Sequence, residues 1–371
     1  MTSNLDWGPF QKWLFRFVVI YVLLYILPIV WLSMLLGYTE PAEYQSSVLI
    51  LVAIRVGLSI AGATIWSFHY KNAEPHPSHI YILTLALRSF LFLTMMTYGF
   101  AKVALIQFSE ASLIQLVTPV GELSPMRLLW IYMGYSSVYQ IFTGLLEVAG
   151  GFLLLYRRTT TLGALLIAGV MSNVALMNFM FDVPVKNLAT HLFVFSLVLA
   201  AFDYKRILNV FILNKDVNAR AFESPFQAEW FTKATKWIRK AMIGAVALGF
   251  IVSAALPLTS YSSKNKPEPE LFGIYMVTSQ EASFRENAWE YFVIDRYNQT
   301  YIRYKNNSKP YFRTLDTEQQ TLTLKPQGTG SERFFTYMTN GNKLHLTEIS
   351  EGDSLLFKME KIDMEIFQLL R

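Results

Sequence analysis

The stretch NFMFDVPVKNLATHLFVF, residues 178–195, decides how this chain is read. It lies in one of the most apolar parts of the sequence, yet it places Asp182, Lys186 and His191 within ten positions of one another. Ionisable groups inside a membrane span are costly, so by default they face a bundle interior, pair with one another, or line a cavity. Outward from this stretch, apolar runs of about 20 residues recur through the first two thirds of the chain, each long enough to cross a bilayer as a helix. Hydrophobic residues make up 53% of the 371 and charged residues 16%, against the roughly 25% charged residues of soluble domains. The pattern predicts a multi-spanning membrane protein with seven helical spans near 14–36, 47–69, 79–108, 135–156, 160–181, 186–203 and 239–258.

The net charge of +5 is unevenly placed. From residue 264 onward there are 14 Lys+Arg against 15 Asp+Glu, so the basic excess belongs to the preceding part. In a membrane protein such an excess marks cytoplasmic loops rather than nucleic-acid binding. With the amino terminus inside, Lys12, Arg16, Lys71, Arg157, Arg158, Lys205 and Arg206 collect on one face, and Lys233, Lys236, Arg239 and Lys240 join them before the last span. That bias predicts a cytoplasmic amino terminus and a carboxyl-terminal domain on the outer side of the membrane. The amino terminus runs into a full-length span without a small-residue cleavage site, which reads as a retained first helix. There is no cysteine, which excludes disulfides, thiol relays and thiolate metal sites. The segment 204–238 interleaves aromatic and basic residues, and fits either an amphipathic helix on the inner leaflet or a solvated loop with aromatic anchors.

After residue 258 the grammar changes. A polar linker at 259–266 leads into short alternating runs over 267–371, among them EYFVIDRY, QTLTLKP and KLHLTEI, with turn signals such as NGN between them. Period-two alternation at this spacing predicts an antiparallel β barrel or curled meander outside the membrane. It shows no His/Asp/Glu run at ligand spacing, so no metal site is expected. The fold class expected is therefore a mixed membrane protein: an α-helical transmembrane bundle followed by an extramembrane β domain.

On the third span Thr84, Arg88, Leu91, Met95, Tyr98 and Lys102 recur at steps of three and four and share a face. Ser136, Gln140, Gly144 and Glu147 do the same on the fourth. The fifth span carries Asn173 and Asn178, and the sixth Asn187 and His191. Because consecutive spans alternate in direction, Lys102, Gln140, Glu147, Asp182, Lys186 and His191 fall in the outer half of the bundle. This predicts one coupled network of Lys102, Glu147, Asp182 and Lys186 with His191 at its edge. Blander readings stand beside it. Asp182, ahead of Pro184, is placed to cap the sixth helix. Lys186 can reach the outer headgroups, and His191 can be a packed neutral residue. Gly144, Gly150, Gly151, Gly163 and Gly169 suit close helix packing, and Arg55 and Arg88 suit the inner surface. Glu147, far from either helix end, must be protonated, paired or hydrated.

YGFAKVALIQF (98–108), the run GYSSVYQIFTGLLEVAGGFLLLYRRTTTLGALL (134–166) and NFMFDVPVKNLATHL (178–192) together resemble the DoxX-like family of bacterial integral membrane proteins. The resemblance implies a four-helix core over 79–203, with a polar centre formed by Lys102, Gln107, Glu147, Asp182 and Lys186. Some family members are subunits of a thiosulfate:quinone oxidoreductase, and others accompany redox systems. That implies a quinone as a candidate ligand and a periplasmic protein or redox partner. The two-span extension 1–78, the last helix at 239–258 and the β domain depart from the four-helix form. The function expected is an accessory or binding subunit whose intramembrane site takes a small amphipathic molecule. A membrane enzyme acting on a lipid-soluble substrate is the alternative, with no catalytic residue assigned, and a transporter is the third. No nucleotide-binding loop or H-E-x-x-H run is present.

Overall fold

The computed structural model describes residues 7–36, 41–71, 73–218, 226, 228–256, 268–280, 288–296, 298–349, 354–367 and 369, with backbone only over 27–36 and 41–48. The linker expected at 259–266 lies outside the described residues. The chain forms two compact units, one of Met1–Gln107 with Val138–Ser253 and one of Phe108–Ser137 with Ala254–Arg371.

The first unit is the helical bundle. Its helices are α1 (Pro9–Leu36), α2 (Pro41–His69) and α3 (Pro77–Val103), then, past two short helices of the second unit, α6 (Ser137–Leu153), α7 (Thr160–Met180), α8 (Lys186–Ala201), α9 (Tyr204–Phe211) and α10 (Glu229–Ala255). The two short helices are α4 (Leu113–Leu116) and α5 (Pro125–Tyr135). Among the described residues five helices, α1, α2, α3, α7 and α10, are long and apolar enough to cross a membrane. Of the seven spans expected, α6 has only 17 residues, and α8 reaches span length only together with α9, across a 79° bend. Helix α10 begins ten residues before the expected span, so 229–238 is helical, with Glu229 and Lys233 paired one turn apart.

Local chemistry sets the helix ends. His76 caps α3, its ring accepting the Ser78 N–H ahead of a first turn that opens on Pro77. Arg16 of α1 donates to Ser67 Oγ and to the Tyr70 and Ala73 carbonyls, groups freed where α2 ends. Arg88 is held at the end of α6. Its Nε donates at 2.8 Å to the Leu154 carbonyl, beyond the last residue of α6, where cations are favoured by the helix dipole. Arg55 is buried, and its guanidinium lies 5.1 Å from the Tyr25 ring. A stripe of Leu83, Leu87, Leu91 and Met95 on α3 packs in one core with Phe15, Val22 and Tyr25 of α1 and with Leu192, Phe195 and Leu199 of α8.

The second unit is an eight-stranded barrel with an inserted helical segment. The strands are β1 (Gly273–Gln280), β2 (Trp289–Ile294), β3 (Gln299–Tyr304), β4 (Ser308–Asp316), β5 (Thr321–Pro326), β6 (Arg333–Asn340), β7 (Lys343–Ile349) and β8 (Ser354–Lys361). Each pairs antiparallel with the next, and β8 pairs back onto β1, so the sheet closes and has no free edge. The NGN signal is realised: Asn340 pairs with Lys343 across a two-residue turn in which Gly341 has φ +59°. The barrel is filled rather than hollow. Trp289 stacks on Phe357 at 4.2 Å and on Phe292 at 5.7 Å, with Phe335 against them, as suits a barrel of this strand number.

On β5 and β7 the interior residues Leu322, Leu324, Leu344 and Leu346 alternate with outward ones. Strands β1 and β2 depart from alternation because both of their faces are covered. Tyr275, Phe292 and Ile294 point into the barrel core, while Ile274 and Val293 point out and are buried by Leu113 and Ile114 of α4. The same insert supplies Glu122, which accepts two hydrogen bonds from Arg303 at 2.8 and 2.9 Å and neutralises a guanidinium that is 2% exposed. Leu113 N–H also donates to Asp295 Oδ2. Residues 267–371 are therefore only part of the compact unit, and residues 108–137 complete it.

Candidate functional site: polar groups within the helical bundle

Helices α3 and α6 approach closely at Gly99 and Gly144. A Cβ on Gly144 would lie 2.7 Å from the Gly99 carbonyl oxygen and 2.8 Å from Lys102 Cβ. This approach delivers Lys102 Nζ to both carboxylate oxygens of Glu147, at 2.8 Å each. The two residues are 5% and 2% exposed, so each charge is removed from solvent and balanced by the other. Gln140 is buried on the same helix two turns earlier, and Gln107 carries a buried Oε1 without a hydrogen-bond partner among the described residues. Gly150, Gly151 and Gly163 are likewise close-packing positions. Gly169 is not, since a Cβ there would meet nothing within 4 Å.

Asp182 and Lys186 form a second ion pair, one turn apart. The Asp182 side chain is 72% exposed, which places it at the surface rather than in a buried network with Glu147. It does not cap α8 either. Asp182 has φ +53° just beyond Phe181, the C-cap of α7, and Val183 N–H closes back on the Asn178 carbonyl at 2.9 Å. Ending α7 needs a residue that tolerates the left-handed region, and Asp does so. The residue before α8 is Val185, with no side-chain cap. Asn178 is buried, whereas Asn173 is exposed on α7. Ser136 occupies the break between α5 and α6, with φ −111° and ψ 102°, inside the second unit.

His191 belongs to a third cluster. Its Nδ1 lies 2.7 Å from the Asn187 carbonyl, an acceptor only, so Nδ1 carries the proton and donates. In the neutral ring Nε2 then accepts from the Tyr21 hydroxyl at 2.6 Å. The imidazole stacks on Tyr25 at 4.1 Å and on Tyr21 at 5.8 Å, and Arg55 lies behind Tyr25. Beside this pair is a cavity of about 260 Å³ whose walls include Phe17, Val22, Val56, Val194 and Phe195. Apart from Thr190, whose hydroxyl donates to the Lys186 carbonyl, its polar equipment is Tyr21 and His191. Tyr21 and Tyr25 were not among the residues expected from sequence. Their signal was an aromatic ladder at steps of four, Trp13, Phe17, Tyr21 and Tyr25, of which Trp13, Phe17 and Tyr21 stack in succession at 5.8 Å.

Comparison with known proteins adds one relative. The chain is 36% identical over 127 residues to a Bacillus subtilis (strain 168) protein described as "Uncharacterized protein YwoB", a match covering 33% of this chain and 79% of that protein. The chain belongs to the YwoB family. Two thirds of its length lie outside the stretch shared with YwoB. No family model matches the chain. No solved structure matches it either.

Proposed function

We propose that the helical bundle binds a small, flat, lipid-soluble molecule with a hydroxyl or carbonyl group, a quinone or quinol being the class that fits. The observation that carries this reading is the apolar cavity of about 260 Å³ closed at one point by the Tyr21–His191 hydrogen bond. Ligand sites are commonly apolar clefts with a few placed polar groups. Here the Tyr21 proton is held by His191, and the phenolic oxygen keeps lone pairs for a ligand hydroxyl. A ligand carbonyl takes the Tyr21 proton instead. The Lys102–Glu147 pair lies at a close helix contact and acts as a clamp between α3 and α6 rather than as the ligand contact.

The DoxX-like reading of 79–203 supports this assignment only as context, and the cleft also draws on α1, outside that core. The inner-membrane placement, the cytoplasmic amino terminus and the outer β domain belong to the same proposal. They are supported by the basic loops and by connectivity: residues 108–137, which follow α3, and residues 254–371, which follow α10, form one compact unit. Spans that alternate in direction bring both stretches out on the same membrane face. A protein partner would meet the exposed Phe312, Phe334, Met338 and Ile349 of the barrel.

Binding of a short-chain ubiquinone analogue to the detergent-purified full chain, read by quenching of tryptophan fluorescence, tests the assignment. Tyr21→Phe is expected to weaken binding about tenfold, equivalent to about 1.4 kcal/mol, the size of one lost hydrogen bond. His191→Phe is expected to do at least as much. Unchanged affinity in both variants would remove the cleft from consideration.

A further inference from the structure

The cleft beside Tyr21 and His191 does not stand alone. It occupies about 260 Å³, short of the roughly 300–1,000 Å³ of most small-molecule sites. A second cavity of about 310 Å³ lies on the same seam between α1 and α8. Val18 of α1 and Val198 of α8 line both, so the two cavities abut at these side chains. We infer that the molecule bound at Tyr21 and His191 carries a long hydrocarbon tail, as an isoprenoid- or alkyl-substituted quinone does, and that this seam holds the tail. The inference rests on the reading of the cleft as the site of the ligand's polar head.

Three features carry it. First, the two cavities differ in kind. The Tyr21 hydroxyl and His191 Nε2, 2.6 Å apart, give the first a polar point. The walls of the second are chiefly Leu14, Phe15, Val18, Val198, Ala201 and Phe202. Such a surface offers dispersion contacts along a hydrocarbon chain and orients no ring oxygen. Second, the seam has a direction. His191 lies five residues into α8, about 8 Å from its start at 1.5 Å per residue, whereas Ala201 is the last residue of that helix. On α1, Tyr21 and Gln11 of the second cavity are ten residues apart, about 15 Å. That is half of a hydrocarbon core of about 30 Å. A head at Tyr21 and a tail along the helix axes would lie as the acyl chains of the surrounding lipid do. Third, the walls are built in advance. Phe15 belongs to the main core of the bundle, and Trp7, Val18, Val198 and Phe202 pack against it. Lipid offers a tail surroundings as apolar as the protein's. A preformed groove is what favours the bound position, because little ordering is needed to fill it.

The test uses the purified full chain in neutral detergent and a ubiquinone analogue whose decyl tail ends in a photoreactive diazirine. Labelled residues are read by mass spectrometry. Labelling is expected within 11–18 and 198–204, and excess short-chain ubiquinone, which shares the head, should displace it. Ala201→Phe narrows the second cavity and should cost the decyl analogue about tenfold more affinity than the short-chain one. Leu14→Trp serves as a second variant should the first fail to fold. Displaceable labelling that falls outside the seam would overturn the tail assignment and leave the head site standing. Equal losses for the two analogues in the folded variant would do the same. Labelling of the seam that short-chain ubiquinone does not displace would make it an ordinary lipid contact and overturn the inference. No displaceable labelling anywhere, with unchanged affinity in Tyr21→Phe, would remove the head site and the tail site with it.

Discussion

Glu147→Leu is expected to lower the stability of the detergent-solubilised protein by about 3–5 kcal/mol, the cost of removing one partner of a buried ion pair. The substitution leaves the Lys102 ammonium, 5% exposed, without the carboxylate oxygens that lie 2.8 Å from it. Glu147→Gln should be milder, because the amide keeps a hydrogen-bond acceptor in the same place. Lys102→Met should lose most of its effect in the Glu147→Leu background, since each residue's main role is to balance the other. A double-mutant cycle on thermal unfolding measures that coupling directly. The same cycle on Asp182 and Lys186 should give little, because Asp182 is mostly exposed and solvent-screened pairs contribute about 0–1 kcal/mol. Strictly additive effects at Lys102 and Glu147 would contradict the clamp.

The second large effect concerns the insert. Leu113 and Ile114 are 5% and 8% exposed and cover Ile274 and Val293 on the outside of β1 and β2. The double substitution Leu113→Asp, Ile114→Asp forfeits the burial of two aliphatic side chains, about 3–6 kcal/mol in all. It also sets two carboxylates against an apolar sheet face. Hydrogen exchange of the β1 and β2 amides should accelerate strongly, while α3 and α7 stay as protected as in the parent. Unchanged protection on β1 and β2 would mean that the insert is not part of the barrel's core. The fragment 267–371 alone should show the same weakness, since it lacks α4 and leaves Arg303 without Glu122.

These two sites show what the sequence carried and what it did not. The Lys102–Glu147 pairing was legible because helix direction and the three-to-four residue spacing fix depth and face along α3 and α6. The barrel was legible in the alternation of β5 and β7 and in the NGN turn. The membership of 108–137 was not, because α4 is a single turn whose apolar residues look like the end of a span. A local sign existed nonetheless: Ser112 and Gln115 stand at helix-start spacing, and Gln115 Oε1 accepts the Ser112 N–H at 2.9 Å. The runs LFGIYMV and YFVI, apolar without alternation, were the matching sign on the barrel, since strands read that way when both faces are covered. The grouping of His191 with Asp182 and Lys186 followed from their similar depth once helix direction is assigned. It failed because His191 projects from α8 toward α1, where an aromatic ladder at steps of four was waiting, while Asp182 serves the end of α7.

The proposed topology puts the unit built from two distant stretches on the membrane face opposite the basic loops. The chain contains no cysteine, so single cysteines can be introduced without background. Gly121→Cys lies in the insert, Gln319→Cys in the barrel and Lys205→Cys in the first turn of α9, all at exposed positions. With a membrane-impermeant maleimide on spheroplasts, Gly121→Cys and Gln319→Cys are expected to label together, and Lys205→Cys only after permeabilisation. Labelling of Gly121→Cys and Gln319→Cys from opposite sides, or of Lys205→Cys together with them, would contradict the account.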